Sequence, residues 1–167
     1  PLSIADYRAH GGFEALAKAL ALDPAQIVDM VSASGLRGRG GAGFPTGIKW
    51  RTAAQASADQ KYIVCNADEG DSGTFADRML MEGDPFTLIE GMIIAGLAVG
   101  ADKGYIYVRS EYPDAIRVLN QALAIARDAD AADATDAAAI NIIYQEYIDS
   151  YSFISFISFI SFISFIS

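Results

Sequence analysis

Six glycines fall in the stretch Gly35-Leu-Arg-Gly-Arg-Gly-Gly-Ala-Gly-Phe-Pro-Thr-Gly47. Lacking Cβ atoms, such a loop lets backbone amides approach a ligand closely, and its natural guest is phosphate. Arg37, Arg39, Lys49 and Arg51 set four cations on or beside it, and Phe44 and Trp50 add flat faces for an aromatic ring. Gly38-Arg-Gly-Gly-Ala-Gly43 formally fits Gly-x-Gly-x-x-Gly. The dinucleotide-binding form of that motif needs a strand before it and a helix directly after. Here the pattern predicts a helix before the loop, and Pro45 is expected to interrupt the segment after it. Gly47-Ile-Lys-Trp50 also lacks the Gly-Lys-Ser/Thr of a Walker loop. Composition alone leaves an anion cradle and an ordinary glycine-rich surface loop both open; the flanking cations favour the cradle.

A second polar segment, Asn66-Ala-Asp-Glu-Gly-Asp-Ser-Gly-Thr74, follows a short apolar run. Open α/β sheets place ligand-binding groups in that position. Asp68, Glu69 and Asp71 offer oxygen ligands to Mg²⁺ or Ca²⁺, but their spacing does not complete an EF-hand loop. Carboxylates also accept hydrogen bonds from sugar-like hydroxyls, and an asparagine amide both donates and accepts at a ring edge. A solvated turn and a ligand site are equal alternatives for this segment taken alone. Cys65 reads as a small core residue, His10 as a surface residue, and Tyr105 and Tyr107 as strand residues packed in the core.

The elements that must carry these segments follow from punctuation and periodicity. Asp23-Pro24 opens a helix running to about Ser34, with Gly35 placed to end it, and Phe13 to Leu22 forms another short helix. Tyr62-Ile-Val-Cys65 reads as a buried strand. Asp84-Pro85 starts a helix through Leu97, after which Tyr105-Ile-Tyr-Val108 forms a second strand. Strand, crossover helix and strand make a parallel β-α-β unit. Pro113 opens a further helix whose Ile116, Leu119, Leu123 and Ala126 share one face.

From about Asp128 an Ala/Asp-rich stretch leads to Ser-Phe-Ile repeats over Ser152 to Ser167. A period of three fits neither helix nor strand, and the repeat is short and polar for a membrane span. It reads as a translated nucleotide repeat, a frameshift or another sequence artefact. The net charge of −9 disfavours broad binding to nucleic acid or anionic lipid. One cysteine allows no intrachain disulfide and no cysteine cluster, which suits a reducing, cytoplasmic setting. No secretory signal is evident, and a chain starting at Pro1 is expected to have its true start upstream.

Together, Gly35 to Trp50 and Tyr62 to Arg78 resemble the flavoprotein subunit of respiratory complex I and its relatives, the diaphorase subunits of NAD-reducing hydrogenases and the β subunit of NAD-dependent formate dehydrogenases. Gly70-Asp-Ser-Gly-Thr-Phe-Ala-Asp-Arg78, followed by Met79-Leu-Met-Glu-Gly-Asp-Pro-Phe86, looks most like the formate dehydrogenase branch. The similarity runs from about Ile27 to Asp128 and includes Gly104-Tyr-Ile-Tyr-Val-Arg109 and Glu111-Tyr112. It implies an α/β, Rossmann-like FMN-binding domain with a parallel β-α-β core, present here incompletely. Residues 1–128 would be the N-terminal part of an FMN/NAD(H)-binding domain, 129–151 a segment of unclear status and 152–167 a low-complexity tail.

By the same resemblance, Gly38, Arg39, Gly40, Gly41 and Gly43 would line FMN, with Lys49 near its polar groups and Phe44 stacking on the adenine of NAD(H). Asn66, Asp68 and Glu69 would contact the isoalloxazine edge and ribityl chain, and Asp71 would face the nicotinamide. The implied reaction is hydride transfer between NAD(H) and the flavin, then one-electron steps to iron-sulfur clusters, with no side chain serving as acid or base. Implied partners are iron-sulfur subunits and, in the formate branch, a molybdenum-containing subunit, at the inner membrane face in a complex I-type assembly. The family's second cofactor segment and the cysteines for its [4Fe-4S] cluster are absent from this chain, and one flank of the sheet is expected to be left unpaired. The contrasting reading is a non-catalytic remnant or assembly fragment without a complete flavin site.

Overall fold

The computed structural model describes residues 1–39, 42–71, 73–132 and 141–142. The 152–167 tail, most of 129–151, and the predicted ligands Gly40 and Gly41 lie outside the described residues. Among the described residues the elements are α1 (Ile4–Ala9), α2 (Glu14–Leu20), α3 (Pro24–Ala33), α4 (Thr46–Gln55), β1 (Tyr62–Ala67), α5 (Ala76–Gly83), α6 (Pro85–Val99), β2 (Lys103–Val108), α7 (Pro113–Ala132) and β3 (Asn141–Ile142).

β1 and β2 pair in parallel, Ile63 opposite Gly104 and Cys65 opposite Ile106, with α6 as the crossover. β3 continues the parallel sheet on the far side of β2, opposite Lys103 and Gly104. Among the described residues β1 is left as an edge strand, and α7 runs past residue 128 to Ala132 before β3.

α6 is apolar on nearly all sides, as a fully surrounded helix must be. It packs against α2, α3, α4, α5, α7 and both long strands, and its Phe86, Ile89 and Met92 are almost wholly buried with Ile63, Ile106 and Leu119. Gly100, in the left-handed region at φ 75°, ends it, its amide and that of Ala101 both bonding the Gly96 carbonyl at 2.9 Å.

Two sequence expectations need correction. Pro45 does not interrupt the chain: α4 starts at Thr46, because proline lacks the amide that a helix's first turn leaves unused. Tyr105 and Tyr107 are only half-buried, since the core face of β2 carries the alternate residues, Gly104 and Ile106.

Candidate functional site

The glycine segment joins α3 to α4 and is closed at its base like a hairpin. Arg37 and Pro45 form an antiparallel bridge, Gly38 N donates to Phe44 O at 2.9 Å, and Thr46 N donates to Leu36 O at 2.9 Å. Gly43 sits at φ 54°, where a side chain would strain the backbone. The Arg37 guanidinium donates to Gly43 O at 3.0 Å, across the loop.

The four cations divide accordingly. Arg37 stitches the loop, and Arg51 turns back to α3, where it meets Asp29 at 2.9 Å and Ser32 Oγ at 3.2 Å. Arg39 is exposed on the loop itself. Lys49, one turn into α4, is half-buried; its ammonium makes no hydrogen bond or ion pair among the described residues, and its pKa is lowered by burial. A desolvated ammonium without a counter-charge is costly, and an anion would relieve that cost. Phe44 is 48% exposed, an accessible ring on the loop's far limb. Trp50, the other candidate ring, is buried at 2% and belongs to the core.

The acidic turn begins where β1 ends. Asn66 is exposed, and its Oδ1 accepts from Asp68 N at 3.2 Å, so the asparagine shapes the turn. Asp68 is half-buried, and Asp71 is exposed with its carbonyl accepting from Thr74 Oγ1 at 3.0 Å. Glu69 is engaged within the protein. Its backbone is left-handed at φ 46°, and its carboxylate accepts from Asp77 N at 2.9 Å, Arg78 N at 3.1 Å and Tyr112 Oη at 3.1 Å. Those bonds cap α5 from seven residues upstream of its first residue. The Asp77 carboxyl, beside Glu69 and partly buried, is pushed up to about 6, first by desolvation and then by the Glu69 charge. Among the described residues no group of His, Cys, Asp or Glu is arranged to hold a metal ion.

The two segments leave different elements, the glycine loop α3 and the acidic turn β1. Lys61 Nζ donates to Ala54 O at 2.8 Å and Val99 O at 3.1 Å, tying the last turns of α4 and α6 to the amino end of β1. α4 packs on α6. The acidic turn starts at the opposite, carboxyl end of β1. Arg109 follows β2 at the same end and donates to Glu69 O at 3.0 Å. The expected site residues omitted Arg109 and Tyr112; a cation directly after a parallel strand was the available signal.

The fold is thus an α/β domain with a parallel β-α-β unit, a glycine loop followed by a partly buried lysine, and an acidic turn after its first strand. Residues 31–151 match the Nuo51 FMN-binding domain family, and the chain belongs to that family. It is 58% identical over 128 residues to the NADP-reducing hydrogenase subunit HndC of Solidesulfovibrio fructosivorans, covering 77% of this chain and 26% of that protein. It is 52% identical over 126 residues to an NADH-quinone oxidoreductase subunit of Rhizobium meliloti, covering 75% of this chain and 30% of that one. The solved NAD⁺-reducing [NiFe]-hydrogenase in the H₂-reduced state superimposes with a TM-score of 0.65 at 42% identity, over 74% of this chain and 21% of that chain. The chain thus spans between a quarter and a third of the length of these curated relatives.

Proposed function

We propose that this chain supplies the phosphate-binding and ring-edge side of an FMN site in an NAD(H)-linked electron-transfer subunit. Lys49 carries the reading: a half-buried cation with no partner among the described residues, on the first turns of the helix that leaves the glycine loop. A phosphate monoester brings the charge that this lysine lacks and the acceptor oxygens that the amides of a glycine loop suit. FMN, when bound, supplies the two-electron exchange with NAD(H) and the one-electron exchange with iron-sulfur partners. The chain's own residues bind and orient. Gly38, Arg39, Gly43 and Lys49, with Gly40 and Gly41, serve the phosphate side; Asn66 and Asp68 serve the ribityl and ring-edge side; exposed Phe44 and Asp71 serve the dinucleotide.

Iron-sulfur subunits are the partners that such chemistry requires, and a cytoplasmic setting suits a buried free thiol at Cys65. Among the described residues no helix is long and apolar enough to cross a membrane. The wording of Gly70 to Phe86 supports a formate-linked, molybdenum-containing partner. Related domains serve proteins named as an NADP-reducing hydrogenase and an NADH-quinone oxidoreductase, so the redox partner beyond the nucleotide differs among proteins that carry such a domain.

Titration of the chain with FMN and with riboflavin, followed by flavin fluorescence, tests the reading. FMN is expected to bind at micromolar concentration and at least tenfold more tightly than riboflavin, and Lys49→Met is expected to remove most of that difference. Equal affinity for the two flavins, or no binding of either, refutes it.

A further inference from the structure

Glu69 holds a backbone conformation that side-chain-bearing residues rarely adopt, and four bonds fix it there. Three converge on its carboxylate, from Asp77 N, Arg78 N and Tyr112 Oη. The fourth reaches its carbonyl from Arg109 Nη1 at 3.0 Å. Two of the four come from the segment after β2, roughly forty residues along the chain. Tyr112 is itself fixed. It is 6% exposed, and the guanidinium groups of Arg78 and Arg109 each lie 5.4 Å from its ring centroid. Arg109 is held in turn by Glu111, with Nε and Nη2 each 3.3 Å from its carboxylate oxygens. Asn66 and Asp71 meanwhile remain exposed, and Asp68 half-buried.

We infer that Arg109 and Tyr112 are positioning residues for the acidic turn: acting through Glu69, they set the conformation of Asn66 to Asp71 and so the affinity for flavin. The flavin part of this rests on the reading proposed above. A turn held by its own hydrogen bonds alone sits in many conformations, and ordering it on binding would weaken affinity. Here one glutamate couples the turn to α5 on one side and to the end of β2 on the other. Its side chain is thereby taken from direct contact with the cofactor and given to the geometry of its neighbours.

The test compares the chain with its Tyr112→Phe and Arg109→Gln variants by residue-resolved amide exchange and by FMN titration. Tyr112→Phe deletes only the hydroxyl that bonds Glu69. Expected results are faster exchange at the Asp77 and Arg78 amides and FMN affinity lowered about tenfold, the scale of one hydrogen bond to a charged group. The Phe13 and Leu16 amides, which bond Glu90 far along the chain, serve as the control for general loosening and are expected to keep their rates. Arg109→Gln is expected to move the same amides and the same affinity. Unchanged exchange at Asp77 and Arg78 in both variants overturns the inference, as does local loosening with unaltered FMN affinity. Loosening that includes Phe13 and Leu16 equally also overturns it, since the residues would then support the fold at large. If the parent chain binds no flavin, the proposed function fails separately, and the exchange rates alone decide whether the clamp holds the turn.

Discussion

Gly47 lies where α3 and α4 cross. A Cβ built there would sit 2.3 Å from Ser32 Oγ, 2.6 Å from Ser32 Cα and 2.8 Å from Ser32 Cβ. Rotating the serine removes only the first clash, because the other two involve atoms fixed to the α3 backbone. Gly47→Ala must therefore part the helices by about 1 Å, and overpacking of that kind costs ~1–3 kcal/mol. Alanine's better helix propensity returns up to about 1 kcal/mol. The net expectation is a loss of ~1–2 kcal/mol, which for a chain of this size lowers the melting temperature by about 3–8 °C. Lys49 stands two residues on, so the displaced helix is also expected to weaken FMN binding. Gly83→Ala is the matched control, since a Cβ at this helical glycine meets nothing within 4 Å. It should be neutral or stabilising by up to about 1 kcal/mol. Circular-dichroism melts of the two variants decide the matter. A Gly47→Ala protein that melts at or above the parent temperature refutes the close-crossing argument.

Two further perturbations address the buried charges. Asp77, raised to about 6 from an ordinary value near 4, binds a proton more tightly folded than unfolded, so its contribution is most favourable below pH 4 and is lost as pH rises through 6. Asp77→Asn should accordingly stabilise the chain at pH 7.5 by about 1 kcal/mol, the shift being discounted for solvent screening, and should change little near pH 4. Urea unfolding at the two pH values reads this directly, and an equal effect at both would contradict it. Glu90, 7% exposed, accepts from Tyr7 Oη at 2.5 Å and from the Phe13 and Leu16 amides at 2.9 Å, and Tyr7 is pushed up to about 12 by burial and this carboxylate. Glu90→Ala strands those donors and is expected to cost ~2–4 kcal/mol and release the α1–α2 segment to proteolysis; unaltered stability and cleavage would show that the segment is held by its apolar contacts alone.

The β-α-β unit was legible because each of its parts is announced locally. Two apolar runs rich in strand formers flank a helix opened by Asp84-Pro85, and tertiary packing only confirms what the periodicity dictates. α4 was hidden by its proline, whose meaning depends on whether the chain turns helical before or after it. α5 was hidden for a different reason. Its cap is Glu69, a residue inside the preceding loop, whereas a readable N-terminus carries its cap at the residue just before the helix. Phe75, at that position, makes no side-chain cap at all. The same long-range bonds engage the Glu69 carboxylate within the protein. Spacing in the sequence put Asp68, Glu69 and Asp71 side by side; only the fold could show that the middle one points its hydrogen bonds into the protein.

The glycine loop also shows why a formal motif match is a weak guide to how phosphate is held. In the dinucleotide fold the loop leaves a strand and its phosphate lies on the free amides of a helix start. Here the loop leaves α3, and the first amide of α4 is already engaged: Thr46 N bonds Leu36 O to close the loop's base. The charge must then come from elsewhere, and α4 supplies it one turn later through Lys49. Burial makes that ammonium more responsive to a ligand than the exposed Arg39, because screening is weaker and no intrachain carboxylate competes among the described residues. Arg51 illustrates the converse. Two residues further along the same helix, it meets Asp29 at 2.9 Å and has its charge answered within the protein. Two cations on one short helix thus divide into one that fastens α4 to α3 and one left for a ligand. Gly47, whose missing side chain lets α3 and α4 cross closely, lies between the two helices that the Arg51–Asp29 pair joins.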